Sequence, residues 1–237
     1  MAVIHHTTVT PTKLELLTTW LPTRPWYGGA ADGPALTKAG GFRLDDPQGE
    51  VGIEFMVVTD ASGPEPTDYL VPLTYRGAPL DGAEGALVGT MEHGVLGRRW
   101  AYDGCHDPVL VTQLLALVEG RAQAQDQNTS DAPDREVTRA YTGAGALSAN
   151  GAGDLSGTGA GVLSAVVTTT PVDGREATEL AAPHDTVLRL HRVLRPAADG
   201  RPLLPREAVG HVAGTWQPAD GSRARGLFAV LHAATRT

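Results

Sequence analysis

The chain has 237 residues and a formal net charge of −8, from 19 Lys and Arg against 27 Asp and Glu. This balance argues against a nucleic-acid-binding protein, because phosphate backbones recruit basic surfaces and the sequence has no Lys/Arg stripe with interleaved aromatic residues. Hydrophobic residues make up 41% and aromatic residues 5% of the chain, so we exclude wholesale disorder and expect an aliphatic core.

Cysteine content and hydropathy indicate the compartment. Cys105 is the single cysteine, which excludes an intrachain disulfide and a multi-cysteine zinc site. The first residues lack the basic and apolar regions of a signal peptide, and no apolar run reaches the roughly 18 residues of a membrane span. We therefore expect a cytoplasmic protein with no membrane partner.

Two helices are predicted from leucines at helical spacing. The first follows the hydroxyl cap formed by Thr10-Pro11-Thr12 and ends at Pro22. The second begins at Asp107-Pro108, where the carboxylate caps the helix and proline occupies its first turn, and it ends at Gly120.

Alternating apolar residues predict strands over 51–58 and 69–75, joined as antiparallel neighbours by a turn-rich loop, with Pro72 at an edge or a bulge. Further strands are predicted in GALVGTMEHG, RRWAYDG, DTVLRLHRVLRP and GLFAVLHAA, and a weak helix in REAVGHVAG. In DTVLRLHRVLRP the leucines 188, 190 and 194 share one side.

Composition divides the chain into three parts. From about residue 121 to 161 it shifts to Ala, Gly, Ser, Asp and Thr, which is typical of a linker or a long mobile loop. We predict one domain over 1–127, a linker over 128–160 and a second domain over 161–237. The fold class is α+β, in which a first antiparallel sheet with helices is followed by a second small antiparallel sheet.

The sequence predicts no metal, no cofactor and no catalytic residue. The histidines have no spacing that converges on one ion, and the adjacent pair His5-His6 is better explained as a surface or tag-like feature. The glycine-rich run 143–161 lacks the Gly-Lys-Ser/Thr of a phosphate-binding loop, so we interpret it as part of the linker. The sequence contains no G-x-S-x-G elbow, the motif that would indicate a hydrolase.

Three groups of residues leave alternatives open. The rings could stack on a sugar or pack in the core. Cys105 could be a reactive thiol at a helix start or part of the core. The available acids could form a glycosidase-like pair, which needs two carboxyls across a cleft. The rings are Trp20, Trp26, Tyr27, Trp100 and Tyr102, and the acids are Asp45, Asp46, Glu54, Asp103 and Asp107.

Residues 10 to 125 resemble the N-terminal cap domain of actinobacterial maltokinases. The resemblance rests on WLPTRPWYGG at 20–29, the hairpin after it, and WAYDG at 100–104 before the second helix. The family motif is W-L-x-x-x-R-W-[YF]-x-G, and here Pro25 occupies the Arg position while Arg24 lies one residue earlier. The resemblance implies a curved antiparallel sheet with packed helices for the domain over 1–127.

A second resemblance concerns 161–237, which are similar to the small lobe of the same kinases. TVLRLHRV resembles the strand that carries the nucleotide lysine, with Arg189 at the lysine position, and this implies a cofactor-binding role for Arg189. The family's catalytic base and metal-binding Asp belong to a large lobe, and the sequence has no H-G-D-L-H-type or D-F-E-like motif. The chain is expected to end near the hinge to that lobe.

These resemblances imply a non-catalytic, cap-like binding or regulatory protein of α-glucan, maltose, glycogen or trehalose metabolism, which docks on a protein partner. That partner would be kinase-like or an enzyme of glucan metabolism, and a sugar or α-glucan is a further possible ligand. Two alternatives stay open: an α-glucan-modifying enzyme with an unrecognised carboxylate site, and the small lobe of a split sugar kinase.

Overall fold

The computed structural model describes residues 8–30, 32–129, 131–142, 170–198 and 204–234. The elements up to residue 119 are β1 (Val9–Thr10), α1 (Lys13–Trp20), β2 (Leu36–Leu44), β3 (Gly52–Asp60), β4 (Thr67–Arg76), β5 (Leu87–His93), β6 (Gly97–Asp103) and α2 (Pro108–Glu119). The later ones are β7 (Thr138–Tyr141), β8 (Val172–Asp173), β9 (Ala177–Ala182), β10 (Thr186–His191), β11 (Ala208–Trp216) and β12 (Ala224–Ala233). Single 3-10 turns occupy Leu21–Thr23, Glu84–Ala86 and Gly104–His106.

All twelve described strands belong to one antiparallel sheet. Its order is β1-β5-β6-β4-β3-β2-β11-β12-β10-β9-β8, and β7 pairs with β11 beside this path. The two parts of the sheet meet where Trp216 pairs with Gly40, and the amide of Gln217 donates to the carbonyl of Ala39 at 2.8 Å. The prediction of a separate second sheet is therefore not confirmed, because β8 to β12 continue the first one.

The C-terminal part also contacts β4 directly. The backbone of Leu70 and Asp68 exchanges hydrogen bonds with Arg192 and Leu194, of 2.9 and 2.8 Å, just after β10 ends. The strands β4, β3, β2, β11, β12 and β10 are neighbours in this order, and the residues after β10 bond to β4 again. On the same edge of β4, β6 pairs with 73–76. Pro72, which has no N–H to donate, lies between the part of β4 that bonds to residues 192–194 and the part that pairs with β6.

Both predicted helices are present with their predicted starts. Thr12 caps α1 in a reciprocal capping box with Glu15, and Asp107 caps α2 by accepting from the amide of Val109. Gly120 ends α2 in the left-handed conformation, with φ 83°. The weak helix predicted over 206–214 is wrong, because these residues form most of β11.

Two buried clusters hold the sheet and helices together. The larger one combines leucines of α2 with β2, β3, β10, β11 and β12, and at its centre Phe42 stacks on Phe55 at 4.4 Å and on Phe228 at 6.0 Å. The second cluster lies between α1 and the other face of β3 and β4, and it contains Trp20 and Trp26. Burial of these side chains from both parts of the chain joins them into one structure.

The predicted boundaries fall partly outside the described residues. Within the predicted linker 128–160, residues 138–141 form β7, whereas 143–160 lie outside the described part, as do His5 and His6. The division into three parts stays a prediction. None of the described helices combines the length and the apolarity needed to cross a membrane.

Candidate functional site

Four aromatic rings meet behind the end of α1. Trp20 and Trp26 are buried and lie edge to face with centroids 5.8 Å apart, while Trp26 and Tyr27 lie 5.9 and 5.7 Å from the ring of Tyr69 on β4. The guanidinium carbon of Arg24 lies 4.9 Å from the ring of Trp20, in a cation–π contact. The block Trp26–Gly29 is thus fixed against the sheet by its rings.

Tyr27 extends from this cluster to a carboxylate at the end of β3. Its hydroxyl donates to Oδ2 of Asp60 at 2.8 Å, and Ser62 Oγ donates to the same oxygen at 2.9 Å. Oδ1 of Asp60 accepts from the amides of Ala35 and Ser62 at 2.8 and 3.0 Å. One carboxylate therefore organises the loop before β2, the loop after β3 and the Tyr27 phenol.

The surroundings shift both pKa values. Burial raises the pKa of Tyr27 to about 12, and the neighbouring negative charge of Asp60 acts in the same direction. Burial also opposes ionisation of Asp60, but the hydrogen bonds from Ala35, Ser62 and Tyr27 outweigh it and lower the pKa of this carboxyl. At neutral pH the pair is a neutral phenol donating to a carboxylate.

The close contact between Tyr27 and Asp60 requires glycine at position 29. A Cβ on Gly29 would lie 1.9 Å from the Tyr27 hydroxyl and 2.4 Å from Oδ2 of Asp60. The amide of Gly28 donates to the Tyr69 hydroxyl at 3.1 Å, and a Cβ on Gly28 would meet nothing closer than 3.9 Å. Position 29 is thus closed to any side chain, whereas Gly28 leaves space over the backbone beside the Tyr27–Asp60 pair.

This space is a cleft of about 340 Å³. Glycine backbone, one proline, one threonine and two acidic residues form its wall, and none of the described lining residues is basic. The lining residues are Gly28, Gly29, Asp60, Gly63, Pro64, Glu65 and Thr67. Glu65 is exposed, so the cleft presents negative charge and hydrogen-bond acceptors to solvent.

The residues that line the cleft lie within a segment that matches a known family. Residues 20–107 match the family model of the maltokinase N-terminal cap domain. The resemblance seen in the sequence is thereby confirmed over this segment, which we call the cap domain. A comparison with curated proteins gave no match to the chain.

The cap domain does not bring all five candidate rings together. Trp100 and Tyr102 lie on β6 and pack in a separate small cluster with Ala83 and Ala86. The Tyr102 hydroxyl accepts from the amide of Leu80 at 2.9 Å and is buried with its ring. Of the five candidates, Tyr27 is the one with a hydrogen bond to a residue that lines the cleft, Asp60.

The acids proposed for a glycosidase-like pair are engaged elsewhere in the cap domain. Asp46 accepts from three amides in the turn before β3, and Glu54 pairs with Lys13. Asp107 forms two 2.7 Å hydrogen bonds with Arg76, and Asp103 is buried in another ion pair, described below. Asp45 is half-buried beside Asp46. Asp46, Glu54, Asp103 and Asp107 thus hold the fold together rather than form a glycosidase-like pair.

Arg189 and Cys105 lie away from the cleft. The guanidinium of Arg189 donates to Glu179 on β9 at 2.6 Å, on the face of β10 opposite Leu188 and Leu190. A cofactor-binding role for Arg189 stays a prediction. Cys105 is buried in the core, and burial raises its thiol pKa. Among the described residues, no group of three or more His, Cys, Asp or Glu could hold a metal ion.

Sequence reasoning missed Arg192. Its side chain is fully buried beneath the cap domain, with Nη2 on both oxygens of Asp103 at 2.7 and 2.9 Å and Nε on Thr178 at 2.7 Å. Its guanidinium carbon lies 4.9 Å from the ring of Trp26. The sequence does hold a signal for this burial: Arg192 lies two residues after Leu190 and four after Leu188, so in an extended chain it shares their core-facing side.

Proposed function

We propose that the chain is a non-catalytic, cap-like binding module of maltose, α-glucan or trehalose metabolism. One observation carries this proposal: the two glycines of the Trp-Tyr-Gly-Gly block line an open cleft together with the acids Asp60 and Glu65. The maltokinase match connects the module with sugar metabolism, and the cleft provides a place for a ligand.

The chemistry of the wall favours a neutral sugar over a nucleotide or a sugar phosphate. Phosphate groups need basic side chains or clustered backbone amides, whereas Asp60 and Glu65 would repel them. The exposed carboxylate of Glu65 can accept hydrogen bonds from sugar hydroxyls, whereas Asp60 is buried and both its oxygens already accept hydrogen bonds within the protein. A volume of about 340 Å³ lies within the range of small-molecule sites. The cleft is thus suited to one or two sugar rings.

Calorimetric titration of the purified chain tests this binding. We expect heat on adding maltose or trehalose and none on adding Mg-ATP. Glu65→Gln should weaken sugar binding several-fold because it replaces an exposed charged acceptor, whereas Glu92→Gln, on the exposed β5–β6 hairpin, should leave it unchanged. Silence with every sugar, or equal effects of the two variants, would exclude this cleft.

Catalysis is tested separately. We expect no phosphorylation of maltose or glucosamine when the chain is incubated with ATP and Mg²⁺, and no change in glycogen or maltose without ATP. Turnover in the first reaction would identify a sugar kinase, and breakdown in the second a glucan-modifying enzyme. Either result would contradict the non-catalytic proposal.

Docking on a kinase-like or glucan-metabolism enzyme is the second part of the proposal. The tip of the β5–β6 hairpin supports it, because Val95 and Leu96 are exposed large hydrophobic residues there. Sedimentation of the chain with a maltokinase catalytic domain should show a complex that Val95→Ser weakens. Mg-ATP binding that arises only in the mixture would instead favour the split-kinase alternative, with Arg189 as the phosphate-directed cation.

A further inference from the structure

The use of lysine in this chain is highly selective. The sequence contains seventeen arginines but only two lysines, Lys13 and Lys38. Both ammonium groups face the same buried carboxylate, Glu54 on β3. Arginine serves every other cationic position, so these two positions are where the chain carries a primary amine on a side chain.

The two amines are engaged to different degrees. Lys13, at the start of α1, donates to Oε2 of Glu54, and its Nζ lies 5.1 Å from the ring centroid of Tyr75. The Tyr75 hydroxyl donates to the same carboxylate oxygen at 2.8 Å. Nζ of Lys38 lies 3.9 Å from Oε1, beyond hydrogen-bonding distance, so its attraction to Glu54 is electrostatic only.

Accessibility does not distinguish the two lysines. The side chain of Lys13 is 35% exposed and that of Lys38 is 38% exposed. Burial lowers the pKa of Lys38, the charge of Lys13 acts in the same direction, and Glu54 and Asp126 oppose them. Lys38 therefore combines access to solvent, and an ammonium group outside hydrogen-bonding distance of Glu54, with a larger share of neutral, nucleophilic amine than an ordinary lysine has.

We propose that Lys38 is an acyl-acceptor site, modified by small activated acyl donors of the acyl-phosphate class, and that Lys13 is protected by its hydrogen bond to Glu54. The neutral Nζ attacks the acyl carbon, a C–N bond forms, and the C–O bond to phosphate breaks. Phosphate leaves with the bonding pair, and the amine proton passes to solvent. The product is an uncharged amide.

Acylation at Lys38 would act on a sensitive place in the fold. Of the two lysines beside Glu54, Lys13 alone would stay charged, which weakens the balance of charge at this buried carboxylate. Lys38 also directly precedes the register shift in β2 at which Gly40 meets Trp216 of β11. A bulkier, neutral side chain would therefore be introduced next to the contact that joins the two parts of the sheet.

The test is peptide mass mapping of the whole chain after timed incubation with acetyl phosphate at pH 8. Because only two lysines are present, every acetylated lysine is assigned directly, and Lys13 is an internal control of equal exposure. We expect acetylation at Lys38 several-fold faster than at Lys13 and than at a free lysine peptide in the same tube. Equal rates at the two lysines, or a Lys38 rate no higher than that of the peptide, would overturn the proposal.

Three variants separate protection of Lys13 from an effect on folding. Lys38→Arg should abolish the fast modification while leaving the slow rate at Lys13 unchanged. Tyr75→Phe keeps the Glu54–Lys13 hydrogen bond and should leave Lys13 slow, whereas Glu54→Gln should make Lys13 reactive. Circular dichroism checks that each variant is folded. If Glu54→Gln unfolds, the wild-type ratio and Lys38→Arg decide the question.

Discussion

Arg192 and Asp103 form a buried ion pair across 89 residues of sequence, with a 2.7 Å contact and side chains only 0% and 1% exposed. Arg192 follows β10, whereas Asp103 ends β6 in the cap domain. Asp103 also accepts from the amide of Cys105 at 3.1 Å, and Arg192 lies over Trp26. The pair thus links the C-terminal strands to Trp26 and Asp103, which lie near the two ends of the cap domain in sequence.

Removing one partner of this pair should be strongly destabilising. Arg192→Met leaves Asp103 buried without its cation, and Asp103→Asn removes the carboxylate that is hydrogen-bonded to the guanidinium, each at a cost of about 3–5 kcal/mol in the free energy of unfolding. Urea denaturation measures this cost. The exposed pair Arg98–Glu92 is the control, because Arg98→Gln should change stability by less than about 1 kcal/mol. Equal effects at the two sites would contradict the buried role of Arg192.

Substitution of the two cleft glycines should have opposite outcomes. Gly29→Ala drives its methyl group into the Tyr27 hydroxyl and Asp60, so it should break their hydrogen bond and lower the melting temperature. Gly28→Ala has open space and should be nearly neutral. Thermal unfolding of both variants measures the difference. A melting temperature for Gly29→Ala equal to that of Gly28→Ala would show that the Tyr27–Asp60 contact is not formed.

Tyr27 should make stability decline in alkaline solution. Below pH 10, the ordinary pKa of a phenol, folded and unfolded chains both carry a neutral Tyr27. Because the folded pKa is raised to about 12, the unfolded chain loses its proton first, and stability is lost as the pH rises from 10 to about 12. The free energy of unfolding of wild type minus that of Tyr27→Phe should fall across this window. A constant difference would exclude the raised pKa.

Local signals in the sequence were sufficient for much of the cap domain. The alternation over 51–58 and 69–75 predicts β3 and β4, and the two strands pair along their full lengths. Asp107 and Gly120 mark the ends of α2 because capping is decided within one turn of helix. The Trp-Tyr-Gly-Gly block was recognised as a family motif, although its contact with Asp60 was not foreseen, since it joins residues 33 apart.

Long-range contacts explain what the sequence did not reveal. The prediction of a helix over 206–214 is wrong because β11 pairs with three strands, β12, β7 and β2. This pairing overrides a weak local helix propensity. Its glycines allow close packing, since a Cβ on Gly214 would lie 2.2 Å from Phe228. The single sheet depends on the Trp216–Gly40 pairing and on a 2.7 Å hydrogen bond from Trp216 Nε1 to Asp68, 148 residues away. No local pattern encodes such a pair.

Asp107 should separate helix capping from ion pairing. Its Oδ1 accepts from the amide of Val109 at 3.0 Å, and both carboxylate oxygens hold Arg76. Asp107→Asn keeps the capping oxygen and loses the charge, whereas Asp107→Ala loses both, so Ala should be less stable than Asn by about 1 kcal/mol. Thr12→Ala, which removes the cap of α1 alone, gives a matched reference for the capping part. Urea unfolding of the three variants measures the order. If the free energy of unfolding of Asp107→Asn equals that of wild type, the charge of Asp107 and its ion pair with Arg76 contribute nothing to stability.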